Sequence, residues 1–246
     1  MSRPVFVLAA AGQAGVGATV RLAGDEGRHA SVVRRVRTGA EVELVDGRGR
    51  RVVGSVVGAD RTGLDVLVAS TQTEPTSSPR LAVVQALAKG DRSELAVQML
   101  TEVGADVIVP WAASRSVAVW RGDRADRGLA RWRSTASEAA KQSRRARFPD
   151  VRPLATTVDV CALVRGAALG LVLHESAATA LASVPLPATG DVVLVVGPEG
   201  GVAPDELAAF AQAGAVVARL GPTVLRTSTA GVAAAAAVLS RTGRWA

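Results

Sequence analysis

Two glycine-punctuated loops near the carboxyl end hold the residues best suited to chemistry. The first, Gly197-Pro198-Glu199-Gly200-Gly201, interrupts the β-branched run Val192 to Val196. Glycine permits positive φ and lets a ligand lie against the main chain, so such a loop can offer bare N–H and C=O groups. The second, Leu220-Gly221-Pro222, ends the apolar run from Val216 and leads into Thr223-Val224-Leu225-Arg226-Thr227-Ser228-Thr229-Ala230-Gly231. A third loop, His174-Glu175-Ser176, follows the apolar run Leu169 to Leu173. Each loop stands where a strand should end, the place where α/β proteins put ligands. Neither glycine cluster is followed by the Lys-Ser/Thr pair of a phosphate-cradling P-loop, and the dinucleotide Gly-x-Gly-x-x-Gly spacing is missing. A nucleoside-like ligand fits what remains; so, on turn statistics alone, do tight strand-to-helix turns.

Other chemistries are excluded more firmly. His174 lacks the His, Cys or carboxylate companions of a zinc site, so no metal is expected. Cys161 is the only cysteine and sits in the apolar patch Val158 to Val164, which makes it a small core filler and rules out an internal disulfide. Hydrophobic residues make up 48% of the 246, yet no run approaches the ~20 apolar residues of a membrane span. The start, Met1-Ser2-Arg3-Pro4, shows no secretory-type apolar segment and cleavage site before Gly12, so the cytoplasm is the expected compartment.

The net charge of +7 fits a polyanionic partner, and its distribution sharpens that reading. Arg115 to Arg152 carries eleven Lys/Arg against four Asp/Glu, and Arg28 to Arg51 carries seven arginines against three acids. Charge runs are commonly solvated faces, but arginine enrichment in a chain with two lysines equally suits phosphate. With four Trp, three Phe and no Tyr, base stacking is not the expected grip.

The elements that must position these residues fall into two sets. From Pro4 to Thr73 short apolar runs alternate with Gly/Asp turns, including Asp46-Gly47 between two runs, which predicts hairpins in a small β barrel or sheet. One helix, Glu26 to Val36, is expected within it, with Ala30 and Val33, and less ideally Val32 and Val36, facing inward. The Pro/Ser-rich stretch Glu74 to Pro79 marks a boundary between domains 1–73 and 74–246.

Beyond it strands alternate with helices, which calls for a mostly parallel sheet with helices on its faces. Leu81 to Leu87 is the first strand, and Lys89-Gly90-Asp91-Arg92 lies at its exit. Asp91 and Glu94 would form a capping box for a helix burying Leu95, Met99, Leu100 and Val103. Val107 to Val109 is a second strand, with Arg115 at its exit as a phosphate or substrate contact. A helix from Asp126 to Arg145 would bury Leu129, Trp132, Ala136, Ala139 and Ala140. Gln142, Arg144 and Arg145 at its end suit an RNA backbone, although basic residues there also complement the helix dipole. Pro204-Asp205-Glu206 opens a helix that Gly214 closes, and the last helix is Val232 to Leu239.

Several short motifs in order give these features a family. Gly197-Pro198-Glu199-Gly200-Gly201, Leu220-Gly221-Pro222 and Leu225-Arg226-Thr227-x-Thr229-Ala230 resemble the S-adenosyl-L-methionine site of the SPOUT methyltransferases. Over nearly the whole chain, the sequence most resembles the E-type uridine-N3 methyltransferases of small-subunit (16S) ribosomal RNA. Lys89-Gly90-Asp91-Arg92 with Glu94, Glu102-Val103-Gly104, Ser114-Arg115-Ser116, Trp132, Glu138-Ala139, Gln142-Ser143, Arg145 and Pro149 fit in sequence. The front matches through Arg28-His29, Val33-Arg34, Gly39, Asp46-Gly47 and Gly49.

The resemblance implies a PUA-like RNA-binding β-barrel followed by a trefoil-knotted methyltransferase domain, working as a homodimer on ribosomal RNA or the small ribosomal subunit. It implies cofactor contacts from Leu173 and Glu175, from Gly197 to Gly201, from Leu220, Gly221, Pro222 and Leu225, and from Thr227, Thr229 and Ala230. RNA contacts would come from Arg28, His29, Arg34, Lys89, Arg92, Arg115, Gln142, Arg144 and Arg145. Arg226 would be catalytic. The family usually has a basic residue where Thr223 stands and a glutamate where Ser228 stands, so the general base is left unassigned. Two alternatives stay open: a SPOUT enzyme with another RNA target, such as a transfer RNA ribose 2′-hydroxyl, and a non-catalytic RNA-binding protein with a decayed pocket.

Overall fold

A computed structural model describes residues 3–245. Met1 and Ser2, where a targeting segment was sought, and Ala246 lie outside the described residues. The chain forms two compact units, residues 1–76 with 140–148, and residues 77–139 with 149–246.

In the first unit, β1 (Val5–Val7), β2 (Thr19–Leu22), β3 (Glu41–Val45), β4 (Arg50–Asp60) and β5 (Gly63–Thr73) form one sheet ordered β1-β3-β4-β5-β2. Only β1 and β3 pair parallel. Register shifts at Val53/Gly54 and Val56/Gly58 mark bulges, which bend the long β4–β5 ribbon. Phe6, Leu22, Leu44, Val52, Leu64 and Val66 fill the core. The Asp46-Gly47 turn forms as expected: Gly47 has φ +74°, and Asp46 Oδ1 accepts from the Arg48 and Arg50 N–H groups at 2.7 and 2.9 Å. The expected helix is shorter, α1 (Gly24–Arg28) continued by one π turn, His29–Val33. Ala30 is buried, but Val33 and Val32 face solvent, because the wider turn rotates them off the inward face.

In the second unit the strands are β6 (Arg80–Ala86), β7 (Val107–Trp111), β8 (Asp150–Val151), β9 (Leu169–Leu173), β10 (Thr179–Ala180), β11 (Asp191–Val196) and β12 (Val216–Arg219). They form one sheet in the order β10-β12-β9-β11-β6-β7-β8, every neighbouring pair parallel. The helices are α2 (Arg92–Val103), α3 (Asp123–Gln142), α4 (Thr157–Arg165), α5 (Pro204–Gln212) and α6 (Thr227–Leu239).

Strand alternation divides the core in two. Leu81, Val83, Val192, Leu194 and Val196 pack with Val97 and Leu100 of α2, Trp132 of α3, and Ala234 and Val238 of α6. Ala82, Val84, Val193 and Val195 pack with Val160 and Cys161 of α4 and Phe210 of α5. Burial there pushes the Cys161 thiol pKa up, in keeping with a packing role.

Four local expectations change. Leu95 is exposed, because Ala96, Val97 and Leu100 are the face of α2 that meets the sheet. Asp91 caps α2 without a side-chain hydrogen bond, so the box with Glu94 does not form. The last helix begins at Thr227, not Val232: packing of its first turn overrides the loop preference of Thr-Ser-Thr. Helix α3 begins three residues before Asp126 and ends at Gln142.

Candidate functional site

Because the sheet is parallel, the carboxyl ends of all its strands share one edge. There the loops after β9, β11 and β12, neighbours in the sheet, enclose a cleft of about 490 Å³. Gly197, Pro198, Glu199, Gly200 and Gly201 line one side; Leu220, Gly221, Leu225 and Arg226 line another, with Thr227 and Ala230 from the start of α6. Leu173 and Glu175 contribute from the β9 exit, and Arg115 from the β7 exit. Pro222 and Thr229, expected here, do not line the cleft; Thr229 turns back to donate to the Arg226 carbonyl at 3.1 Å.

The glycine loop is shaped by close packing. Gly201 has φ +73°, and its N–H donates to the Pro198 carbonyl at 2.9 Å, closing a tight turn. A Cβ on Gly197 would lie 2.8 Å from Val202 Cγ2, and one on Gly200 would lie 3.1 Å from the Arg115 Cβ and carbonyl oxygen. Arg115 Nη1 also donates to the Gly200 carbonyl at 3.3 Å. Gly221 faces the other way: nothing lies within 4 Å of where its Cβ would stand.

The cleft combines aliphatic walls (Leu173, Val196, Val202, Leu220, Leu225) with exposed backbone, two carboxylates and two arginines. Glu199 Oε1 accepts from the Lys89 N–H at 3.2 Å and from Arg92 Nη1 at 3.4 Å. Lys89 and Arg92 themselves line a separate open groove of about 830 Å³ with Asp91, Glu94, Leu95, Gln98 and Thr135. Arg226 is exposed and directly precedes α6, where its carbonyl accepts from the Thr229 and Ala230 N–H groups at 2.9 and 2.8 Å. Its guanidinium has no hydrogen-bond partner among the described residues. Ser228, where a base was sought, is buried and outside the cleft, whereas Thr223 lines it.

Sequence reasoning missed supports beneath this surface. Glu206, read only as part of a helix start, is buried; it accepts from the Ser114 N–H at 2.8 Å, the Thr157 hydroxyl at 3.1 Å and the Ala203 N–H at 3.2 Å. It thereby ties the Arg115 loop to α4 and α5. His174 lines the cleft, and its Nδ1 accepts the Ser176 N–H at 3.3 Å. No group of three or more His, Cys, Asp or Glu among the described residues is placed to hold a metal ion.

The remaining arginines of interest belong to the first unit. Arg28 and Arg34 are exposed near His29, whose ring meets Phe6 edge-on with centroids 6.4 Å apart. In the same unit Gln142 and Arg144 are exposed. Arg144 is held at φ +57°, with its carbonyl accepting from Arg51 Nη2 at 2.9 Å, and Arg145 Nε donates to the Arg147 carbonyl at 2.9 Å.

Comparison with known proteins gives this arrangement a lineage. A family model described as an RNA methyltransferase domain matches residues 75–239, and one described as an RNA methyltransferase PUA domain matches residues 22–69. The chain is 50% identical over 234 residues to the ribosomal RNA small subunit methyltransferase E of Mycobacterium tuberculosis, covering 93% of this chain and 89% of the relative. Among solved structures, the ribosomal RNA small subunit methyltransferase E of Neisseria gonorrhoeae bound to S-adenosyl methionine superposes with a TM-score of 0.86 at 28% identity, over 97% of this chain and 98% of that one. A methyltransferase of Legionella pneumophila with bound SAM gives the same score at 26% identity, over 98% and 99%.

Proposed function

The chain belongs to the ribosomal RNA small subunit methyltransferase E family, and from that premise we propose that it methylates N3 of a uridine in small-subunit ribosomal RNA with S-adenosylmethionine as donor. The observation that carries the reading is the convergence of three loops from adjacent parallel strands on one cleft beside Arg226.

The cleft suits the donor. Its volume falls within the ~300–1,000 Å³ of small-molecule sites, and its aliphatic walls with exposed backbone groups suit an adenosine. Gly221 leaves open space where any other residue would put a side chain. We assign the adenine and ribose to the 197–201 and 220–225 loops, and a ribose hydroxyl or the methionine ammonium to Glu175.

S-adenosylmethionine, when bound, supplies a methyl group already activated on a sulfonium. The chain's own residues must hold the uridine in line, exclude water and favour loss of its N3 proton. Arg226 suits the last task, since a permanent cation stabilises negative charge developing on the uracil ring. We assign RNA contact to Lys89, Arg92 and Arg115 in one unit and to Arg28, His29, Arg34, Gln142, Arg144 and Arg145 in the other. We also take the working form to be a homodimer, as the resemblance implies, in the cytoplasm; sedimentation reports the dimer.

The test is mass mapping of ribosomal RNA from a deletion strain before and after incubation with purified protein and donor. One methyl group on N3 of a single uridine is expected. A modified ribose or a methylated transfer RNA would transfer the assignment to another SPOUT reaction, and calorimetry showing no donor binding would leave an RNA-binding protein. Replacing Arg226 with Ala should cut methylation about 10²–10³-fold while donor affinity stays within a few fold. Equal loss of both would make Arg226 a cofactor-binding residue.

A further inference from the structure

Gln85 is a fully buried carboxamide on β6, in a run that is otherwise apolar from Leu81 to Ala88. Strand alternation turns it toward the layer that holds α2 and α6, and its register partner on β11 is Val196, immediately before the glycine loop. A Cβ added at Gly231 of α6 would lie 3.3 Å from Gln85 Oε1 and 3.4 Å from both Leu100 Cδ2 and Val196 Cγ2. The amide is therefore closely enclosed.

Its hydrogen bonds run in one direction. Nε2 donates to the Ala86 carbonyl at 3.2 Å and to Thr227 Oγ1 at 2.9 Å, and the Thr227 hydroxyl donates to the Gly197 carbonyl at 2.7 Å. A hydroxyl has one proton, and here Gly197 receives it, so the group facing Thr227 from Gln85 must be a donor. Oε1 has no partner among the described residues. For stability alone an apolar side chain of this size would serve at least as well in such a layer. What the amide adds is a fixed link between β6 and two walls of the cleft: Gly197 begins one loop, and Thr227 adjoins Arg226.

We infer that Gln85 is a positioning residue for methyl transfer, setting through Thr227 the separation between the glycine loop and Arg226. It touches no ligand itself. The inference rests on the methyltransferase reading of the cleft, but the link can also be measured without any ligand. In the free protein, Gln85→Met keeps the size and loses the donor, so hydrogen exchange should rise at least about tenfold at the Gly201, Thr229 and Ala230 amides.

In turnover, Gln85→Met and Thr227→Val should each lower kcat at least about tenfold, with KM for the donor moving less. The double variant should be little worse than either alone, since both break one chain of bonds. Thr227→Ser, which restores a hydroxyl, should recover part of what Thr227→Val loses. Additive losses, a lowered Tm with kcat and KM unchanged in the folded fraction, or unaltered exchange at the three amides would each overturn the inference. If wild-type protein binds no donor, the methyltransferase reading fails instead, and the exchange data alone decide whether the link exists.

Discussion

At Gly197 the backbone turns so closely over Val202 that even a methyl group displaces something. Gly197→Ala should therefore weaken donor binding several-fold by moving the start of the loop, a change calorimetry would register. In the first unit, Asp60 shows how one residue sets pH dependence. The Thr62 hydroxyl first, then the Arg21 guanidinium, hold its carboxyl below the usual carboxylate range. A carboxylate whose folded pKa is depressed contributes stability above its unfolded pKa of ~3.9 and loses it as pH falls through the folded value. Asp60→Asn should consequently lower the urea midpoint at pH 7 and shrink its fall on acidification; an unchanged pH profile would refute the assignment. At this scale the positions of the glycines, Glu199 and Arg226 on one cleft were legible, because loops that break apolar runs at strand exits converge at one edge of a parallel sheet. Gln85 was not: one polar residue inside a β-branched run carries no signal until its partner, 142 positions away, is known.

Elements were legible where periodicity was strong. Strand β9 matches its expected span, Leu169 to Leu173, and β11 begins one residue earlier than its apolar run. Helix starts were harder, since they depend on what covers the first turn. Helix α4 is opened by a reciprocal box, with the Thr156 hydroxyl accepting from the Asp159 N–H and the Asp159 carboxylate from the Thr156 N–H. Thr156→Ala should cost about 1 kcal/mol in chemical denaturation. Helix α6 lacks such a cap, and its early start reflects the burial of Thr227 and Ser228.

Over the whole molecule, arginine dominates the positive charge, and both compact units carry exposed arginines. If these meet phosphate, RNA affinity should fall steeply with salt, the logarithmic slope growing by about 0.7 for each single-strand phosphate neutralised. Arg34→Ala and Arg144→Ala should each make that slope shallower by about this amount in a salt titration; a slope that stays fixed would show that neither contacts the backbone. Membership of residues 140–148 in the first unit depends on long-range pairing, such as the Gly49 N–H with the Ala146 carbonyl at 3.0 Å, which local patterning cannot report. By itself the sequence determined the alternation of strands and helices, the glycine breaks at strand exits and the arginine bias, because turn chemistry, hydrophobic period and charge are local properties. Only the tertiary structure decided which loops meet and which buried groups tie them together, because strand order in a parallel sheet is a non-local choice that one chain's residue pattern leaves open.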